Sequence, residues 1–281
     1  MTAVEGIGIG LRYAMAEATL GRDVPGLKWL EVHPENYVAR GGRFRHILER
    51  AAEKFPFATH GLTLGFGAAE PAEASYMRAL RDFLHGLGVP WHSEHLCFSG
   101  SAGVMVHDLL PLPFTHEAVR TAAARIAEAR DQLELPIAVE NISYYATLGA
   151  QQEMSEQDFL LEVLERADCK LLLDVNNVFV NSRNHRFDPR AYLDRIPAQR
   201  VAQIHVAGHH VRPDQLIIDT HGEAVRDEVF ELLDYALQRV GPVPVLLERD
   251  QGFPEFDEIV AEVARLDAIY QRACHRKERA A

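Results

Sequence analysis

The chain has 281 residues, 47% of them hydrophobic, a length that suits one large core, since α/β barrels run to about 250 residues as a single domain. Its formal net charge of −12 at pH 7 argues against nucleic acid or an anionic membrane as partner, because binding a polyanion draws on lysine and arginine. Three cysteines in no metal-like pairing, no apolar signal core after a basic start in MTAVEGIGIGLRYAMAEA, and no run near the ~18 apolar residues of a membrane span lead to the expectation of a cytoplasmic protein without disulfides.

Eight short apolar, β-branched runs alternate with longer segments of helical spacing, the pattern of a parallel sheet wrapped by helices. The expected strands are 6–11, 29–33, 57–60, 89–95, 137–140, 170–175, 201–206 and 243–248. Between them EASYMRALRDFLHGLG, THEAVRTAAARIAEARDQL, SEQDFLLEVLERA, EAVRDEVFELLDYALQRVG and FDEIVAEVARLDAIYQRA repeat apolar residues every three or four positions, as amphipathic helices do. Thr115, and Ser155 with Asp158 three residues on, are helix-start signals. No repeat, low-complexity tract or Pro/Ser-rich linker interrupts the pattern. The reading is a single-domain (β/α)₈ TIM barrel over 1–281, with the barrel at about 6–272, a flexible tail at 273–281, and a long loop with a short helix at 181–195.

Ionisable residues gather where these strands end, and in such a barrel all those ends face one mouth. The third strand ends on His60 and the fourth on WHSEH, with His92, Glu94 and His95. The fifth ends in AVEN (Glu140, Asn141) and the sixth in LLLDVNN (Asp174, Asn176, Asn177). The seventh continues through HVAGH (His205, His209), followed by IDTH (Asp219, His221), and the eighth ends on Glu248. A carboxylate at the end of a buried apolar run costs several kcal/mol unless compensated, and four histidines converging with four acids suit a polynuclear N/O metal site. Each residue also has a plain structural reading: Asp174 capping the turn at VNN, Glu248 paired with Arg249, His60 and His95 as hydrogen-bonded strand ends. His33, His46, His85, His107, His116, His185 and His275 read as surface, capping or supporting residues.

The ordered motifs GIGIGLR, EVHPENY, HGLTLG, SEHLCF, HDLLPLPF, VENISYY, LLLDVNNVFVNSRNH, IHVAGH, IDTHGEAV and LLERD resemble the multinuclear non-heme iron-dependent oxidative enzymes over nearly the whole chain. Members of that family look like divergent relatives of sugar-isomerase and apurinic-endonuclease barrels. They modify cysteines in ribosomally made precursor peptides, methanobactin biosynthesis being the best-known setting. The resemblance implies two or three iron ions, mixed Fe(II)/Fe(III), with O₂ as co-substrate, and metal positions at His60, His95, Glu140, Asp174, His205, Asp219, His221 and Glu248. Asn177 falls where some relatives place a histidine, which implies a weaker third position. Glu140 is expected to bridge two ions, and Glu140, Asp174, His205, Glu248, His209 and Asn141 to carry the chemistry. His92, Glu94 and Asn176 are expected to support ligands or orient substrate. A cysteine-containing precursor peptide and a companion protein gripping its leader are the implied partners. The same ligand set also suits a divalent-metal sugar isomerase or epimerase, an endonuclease-IV-like hydrolase, or a non-catalytic metal or peptide carrier.

Overall fold

The computed structural model describes residues 3–68, 70–101, 104–147 and 152–280. Its strands are β1 (Ile7–Gly10), β2 (Leu27–Val32), β3 (Phe57–Gly61), β4 (His92–His95), β5 (Phe98–Ser101), β6 (Val104–Leu110), β7 (Ile137–Glu140), β8 (Lys170–Asp174), β9 (Val201–Ala207), β10 (His209–Val211), β11 (Ile217–Asp219) and β12 (Val245–Glu248). Eight of them close into a parallel barrel in the order β1-β2-β3-β4-β7-β8-β9-β12, while β5–β6 and β10–β11 form two antiparallel hairpins outside it. The helices are α1 (Ala16–Gly21), α2 (Gly42–Ala52), α3 (Ala74–Leu87), α4 (His116–Leu133), α5 (Glu156–Ala167), α6 (Val175–His185), α7 (Pro189–Asp194), α8 (Asp227–Val240) and α9 (Phe256–Ala280). The TIM barrel expected from the alternation of strands and helices is what forms. Among the described residues no helix is long and apolar enough to cross a membrane.

Local chemistry explains most boundaries. Thr115 and Ser155 cap α4 and α5 by accepting from the backbone N–H of Ala118 and Asp158, each satisfying a donor that the first helical turn leaves free. The expected strands at 89–95 and 243–248 begin later than anticipated, at His92 and Val245. Pro90 and Pro244 precede them and carry no N–H for a ladder. The long loop expected at 181–195 is mostly helix: α6 runs to His185, where Arg186 adopts a left-handed φ of 62°, and α7 follows at Pro189. The asparagines that suggest a loop are instead occupied in tertiary hydrogen bonds. At the other end, α9 continues through the segment anticipated as a tail, with Ala273 buried and helix to Ala280.

Alternation along the strands decides what fills the barrel. Trp29, Ala58 and Leu246 pack together as a plug towards the N-terminal end. Gly8 leaves room for the indole, since a Cβ there would overlap the Trp29 ring. Two residues further along the same strands stand Glu31, His60 and Glu248, all buried. A stepped polar layer thus sits directly on an apolar plug, at the mouth.

Candidate metal centre

Five groups of donors lie side by side here among the described residues, and three of them consist of expected site residues alone. In the first, His60 Nε2 is 3.2 Å from His95 Nε2 and 3.0 Å from Glu140 Oε2, which lies 3.4 Å from His95 Nε2. Residues His95 and Glu140 are register partners on β4 and β7, so the sheet itself brings them together. Ser93 donates its hydroxyl to Thr59 O and therefore accepts from His60 Nδ1 at 3.0 Å. In the neutral ring this puts the proton on Nδ1 and leaves Nε2, on the Glu140 side, to a metal ion, the usual support for a metal-bound histidine.

Glu140, Asp174 and His205 form the second group. Asp174 and His205 are register partners on β8 and β9. His205 Nε2 lies 3.0 Å from Glu31 Oε2, while Nδ1 lies 3.0 Å from Glu248 Oε2 and 4.0 Å from Glu140 Oε1. Glu31 thus holds the far side of the imidazole as a carboxylate behind a ligand. Sequence reading missed it because it sits inside WLEVH rather than at a strand end. Its signal was parity: Glu31 stands two residues after the inward-facing Trp29.

The third group joins Asp174, Glu248 and His221, with His221 Nε2 2.8 Å from Asp219 Oδ1. Asp174 also caps α6, its Oδ1 accepting from Asn177 N at 2.6 Å, so the structural and ligand readings of this residue are compatible. Glu248 is not paired with Arg249, which turns away to Glu262 and Gly222 O. Its cationic neighbour is Arg12, 3.5 Å away, which also grips Asp250 at 2.6 Å. His33 is buried beside Glu248 and Asp250, with Nδ1 2.7 Å from His60 O.

The remaining expected site residues support these groups. Asn141 pairs both amide atoms with the Asp174 backbone at 2.9 Å, locking the ends of β7 and β8 in step. Asn177 donates to Asn141 O at 3.1 Å and lies 3.4 Å from Glu140 Oε1, beside the first two groups. Asn176 spans His209 and Asp219 at 2.8 and 2.7 Å, and His209 stacks on Phe179. His209 begins a hairpin because Gly208 turns the chain where any Cβ would overlap the Glu223 carbonyl. By strand parity His92 and Glu94 face away from the donor groups. His92 pairs with Thr59, and Glu94 accepts the Leu64 and Thr63 N–H groups, fastening the segment after β3.

Electrostatics make the cluster costly without a cation. Burial, Glu140 and Asp219 push the Asp174 carboxyl well above its ordinary range. Burial is the strongest influence on the His60 imidazole and lowers it, yet the charge and hydrogen bond of Glu140 and the charge of Glu31 together outweigh it and carry the group up to about 9. Burial alone would lower His205 too, but Glu31 and Glu248 raise it well above the usual value. Burial, then Arg12 and His60, holds His33 down to about 3. Among the described residues Arg12 alone carries a guanidinium to these acids.

Buried atoms Glu140 Oε2, Asp174 Oδ2, Asn177 Oδ1, His95 Nδ1, His205 Nδ1 and His221 Nε2 make no hydrogen bond of acceptable geometry, although several have neighbours near 3 Å. Most of these atoms belong to residues of the donor groups. Nitrogen and carboxylate donors so arranged fit divalent metal ions, and the shared residues Glu140, Asp174, His205 and Glu248 make the positions contiguous.

The family described as "RiPP precursor modification enzyme MbnB/TglH/ChrH" matches residues 6–271. A UPF0276 protein of Shewanella amazonensis is 43% identical over 275 residues, covering 98% of this chain and 97% of its own. Another, from Pseudomonas aeruginosa, is 43% identical over 270 residues, covering 96% and 94%. Among solved structures, an L-ribulose 3-epimerase superposes with a TM-score of 0.59 at 14% identity, covering 99% of this chain and 98% of its own. Endonuclease IV from Thermus thermophilus gives 0.59 at 15% identity, covering 95% and 99%. At that identity the likeness is one of fold.

Proposed function

The chain belongs to this family of RiPP precursor modification enzymes, and from that premise we propose that it oxidises a cysteine of a ribosomally synthesised precursor peptide, using iron and O₂ at the barrel mouth. The observation that carries the reading is the run of donor groups linked by shared residues, an arrangement that suits two or three adjacent ions. His60, His95 and Glu140 would hold one. Glu140, Asp174, His205 and Glu248 would hold the second, with Glu140 as the bridge. Asp219 and His221, with Asp174 and Glu248, would hold the third, and Asn177 stands beside the Glu140 bridge. Bound iron would supply a seat for the substrate thiolate and a partner for O₂.

The protein's own groups do the rest. Ser93 and Glu31 would keep the His60 and His205 lone pairs turned inward, Asn141 fixes Asp174, and Asn176 ties His209 Nδ1 to Asp219. Arg12 offsets the charge of Glu248 and Asp250.

The rim favours a polypeptide over a sugar. The exposed large apolar side chains among the described residues are Tyr13, Leu62, Leu109, Tyr145 and Phe253. Each lies in a segment following a barrel strand, at the mouth. Exposed apolar side chains around the mouth would suit the apolar parts of a peptide better than a sugar. A companion protein would grip the peptide's leader, and the barrel would work in the cytoplasm where both are made.

The test is anaerobic reconstitution with Fe(II), followed by O₂ uptake and mass spectrometry with a cysteine-containing precursor peptide. The expected result is about two or more irons per chain, by the ligand count, and peptide-dependent O₂ consumption with a mass change on cysteine. One zinc, no iron and no O₂ uptake from an iron-replete anaerobic preparation would move the chain to the hydrolase, isomerase or carrier readings.

A further inference from the structure

Helix α6 carries four asparagines, and none of their side-chain amides is left to solvent alone. Asn177, Asn181 and Asn184 follow at i, i+4 and i+7, on one face of the helix. Asn181 is buried; its Oδ1 accepts from Tyr144 N at 3.0 Å and its Nδ2 donates to Ile142 O at 2.9 Å. Asn184 repeats the arrangement, with Nδ2 donating to Ile217 O at 2.8 Å and Oδ1 accepting from Ile217 N at 3.0 Å. Each amide offers one donor and one acceptor to a stretch of backbone, as a neighbouring strand would.

Strand β11 needs such a partner. Its inner edge pairs with β10, while on its outer edge Ile217 is bonded by Asn184 and Asp219 N donates to the Tyr145 hydroxyl at 2.9 Å. Tyr145 in turn lies 3.2 Å from Ser143 Oγ, which reaches Asp219 Oδ2 at 3.4 Å. Ser143 and Tyr145 belong to the segment that Asn181 clamps. One helix face therefore fixes both the segment after β7 and the strand that carries Asp219, and these meet on the Asp219 carboxylate.

We propose that Asn181 and Asn184 are positioning residues for the hairpin-borne end of the metal centre: by pairing with the backbone at 142–144 and at Ile217 they determine whether Asp219 and His221 reach their ion. This rests on the iron reading above. The clamp acts on the third position alone, because His60, His95, Glu140 and His205 sit on barrel strands that need no such support.

The experiment compares wild type with Asn184→Ala, Asn184→Asp and Asn181→Ala by two measurements. Amide hydrogen exchange at Ile217 and Asp219 in the metal-free protein reports the clamp without any metal. Losing two hydrogen bonds should speed exchange at Ile217 about tenfold or more in Asn184→Ala, and less in Asn184→Asp, which keeps the acceptor. Anaerobic titration with Fe(II) should then show Asn184→Ala and Asn181→Ala binding about one ion fewer than wild type, with the others held as tightly as before. Unchanged iron uptake despite faster exchange would overturn the proposal, as would loss of all ions together from a variant that still melts cooperatively. Should Asn184→Ala not fold, the graded Asn184→Asp variant decides by the same two readouts. A wild-type protein that takes up no Fe(II) overturns the iron reading instead, and the exchange rates then judge the clamp by itself.

Discussion

The two ends of the proposed metal centre use the same donor types on supports of very different stiffness. His60, His95, Glu140, Asp174, His205 and Glu248 stand on barrel strands bonded on both sides. Parity and register alone carry their side chains to the mouth. Asp219 and His221 stand on a three-residue strand and the turn after it, outside the barrel. Their places rest on the pairing of β11 with β10, on backbone bonds of His221 with Gly208 and Asp250, and on side-chain hydrogen bonds with Asn176, Ser143, Tyr145 and Asn184. His221 is also held at a left-handed φ of 50°, a conformation that costs about 1 kcal/mol or more for a residue with a Cβ. Such segments open locally at a lower free energy than core strands. A centre built this way keeps a fixed inner pair and an outer position that local changes can tune.

The largest effect is expected at the residue that joins the inner groups. Glu140→Gln preserves shape but removes the charge shared between His60, His95 and His205. It should cost at least one ion and all detectable turnover with the barrel intact, as elemental analysis and circular dichroism will show; full iron content and activity would place Glu140 outside the centre. Next comes Glu31→Gln, which touches no ion in this reading yet weakens the carboxylate behind His205. Supports of this kind are worth roughly 10–100-fold in metal affinity, so a competition titration against a chelator should show a loss in that range from the inner pair. Equal affinity in the variant would mean that Gln203 and packing alone orient the ring.

That Glu31 had to be found in the structure shows where sequence reading stops. Strand-end residues were legible because the barrel sends every such end to one mouth, so His60, His95, Glu140, Asp174, His205 and Glu248 could be grouped without coordinates. Residues one step inside the barrel were not, because a lone acid in WLEVH has no visible partner until register places β9 near it across the barrel. His33 and Arg12 stayed hidden for the same reason: their neighbours Glu248 and Asp250 lie at the other end of the chain. The stretch 181–195, expected as a long loop with a short helix, is mostly helix, and the amides of α6 are spent on tertiary contacts that no local pattern shows.

Proton linkage separates the two supports more finely. In the metal-free protein the His60 pKa is raised to about 9 because the charge and hydrogen bond of Glu140 and the charge of Glu31 together outweigh burial. A histidine raised above its unfolded value of about 6.5 contributes stability that is fully present below that value and is lost as pH rises through the folded one. Thermal melts of chelator-treated protein should therefore fall between about pH 7 and pH 10, by at most about 3 kcal/mol from this group. His221 is raised too, by Asp219 and Glu248 against burial, but its loop can relax when the charge is lost. His60→Asn should consequently flatten the pH dependence more than His221→Asn does, and equal slopes for the two variants would erase the distinction between strand and hairpin.

The smallest effect is expected at Asn177, which lies beside the inner pair without being built into it. Its backbone N–H, not its side chain, holds Asp174 Oδ1 at 2.6 Å, and that bond survives any substitution that keeps the helix. The amide donates to Asn141 O at 3.1 Å, is only 3.4 Å from Glu140 Oε1, and leaves Oδ1 buried without a partner. Asn177→Ala thus removes one ordinary hydrogen bond and one weak contact, about 1 kcal/mol together, and should change iron content by less than one ion. Asn177→His places an imidazole beside Glu140 where a neutral amide stood, a better donor to iron, and should tighten iron binding at the inner pair without filling the hairpin position. Activity need not follow. If Asn177→Ala strips all iron from a cooperatively folded protein, the weak contact to Glu140 is the support that aims the bridge, and the inner pair depends on α6 as much as the hairpin does.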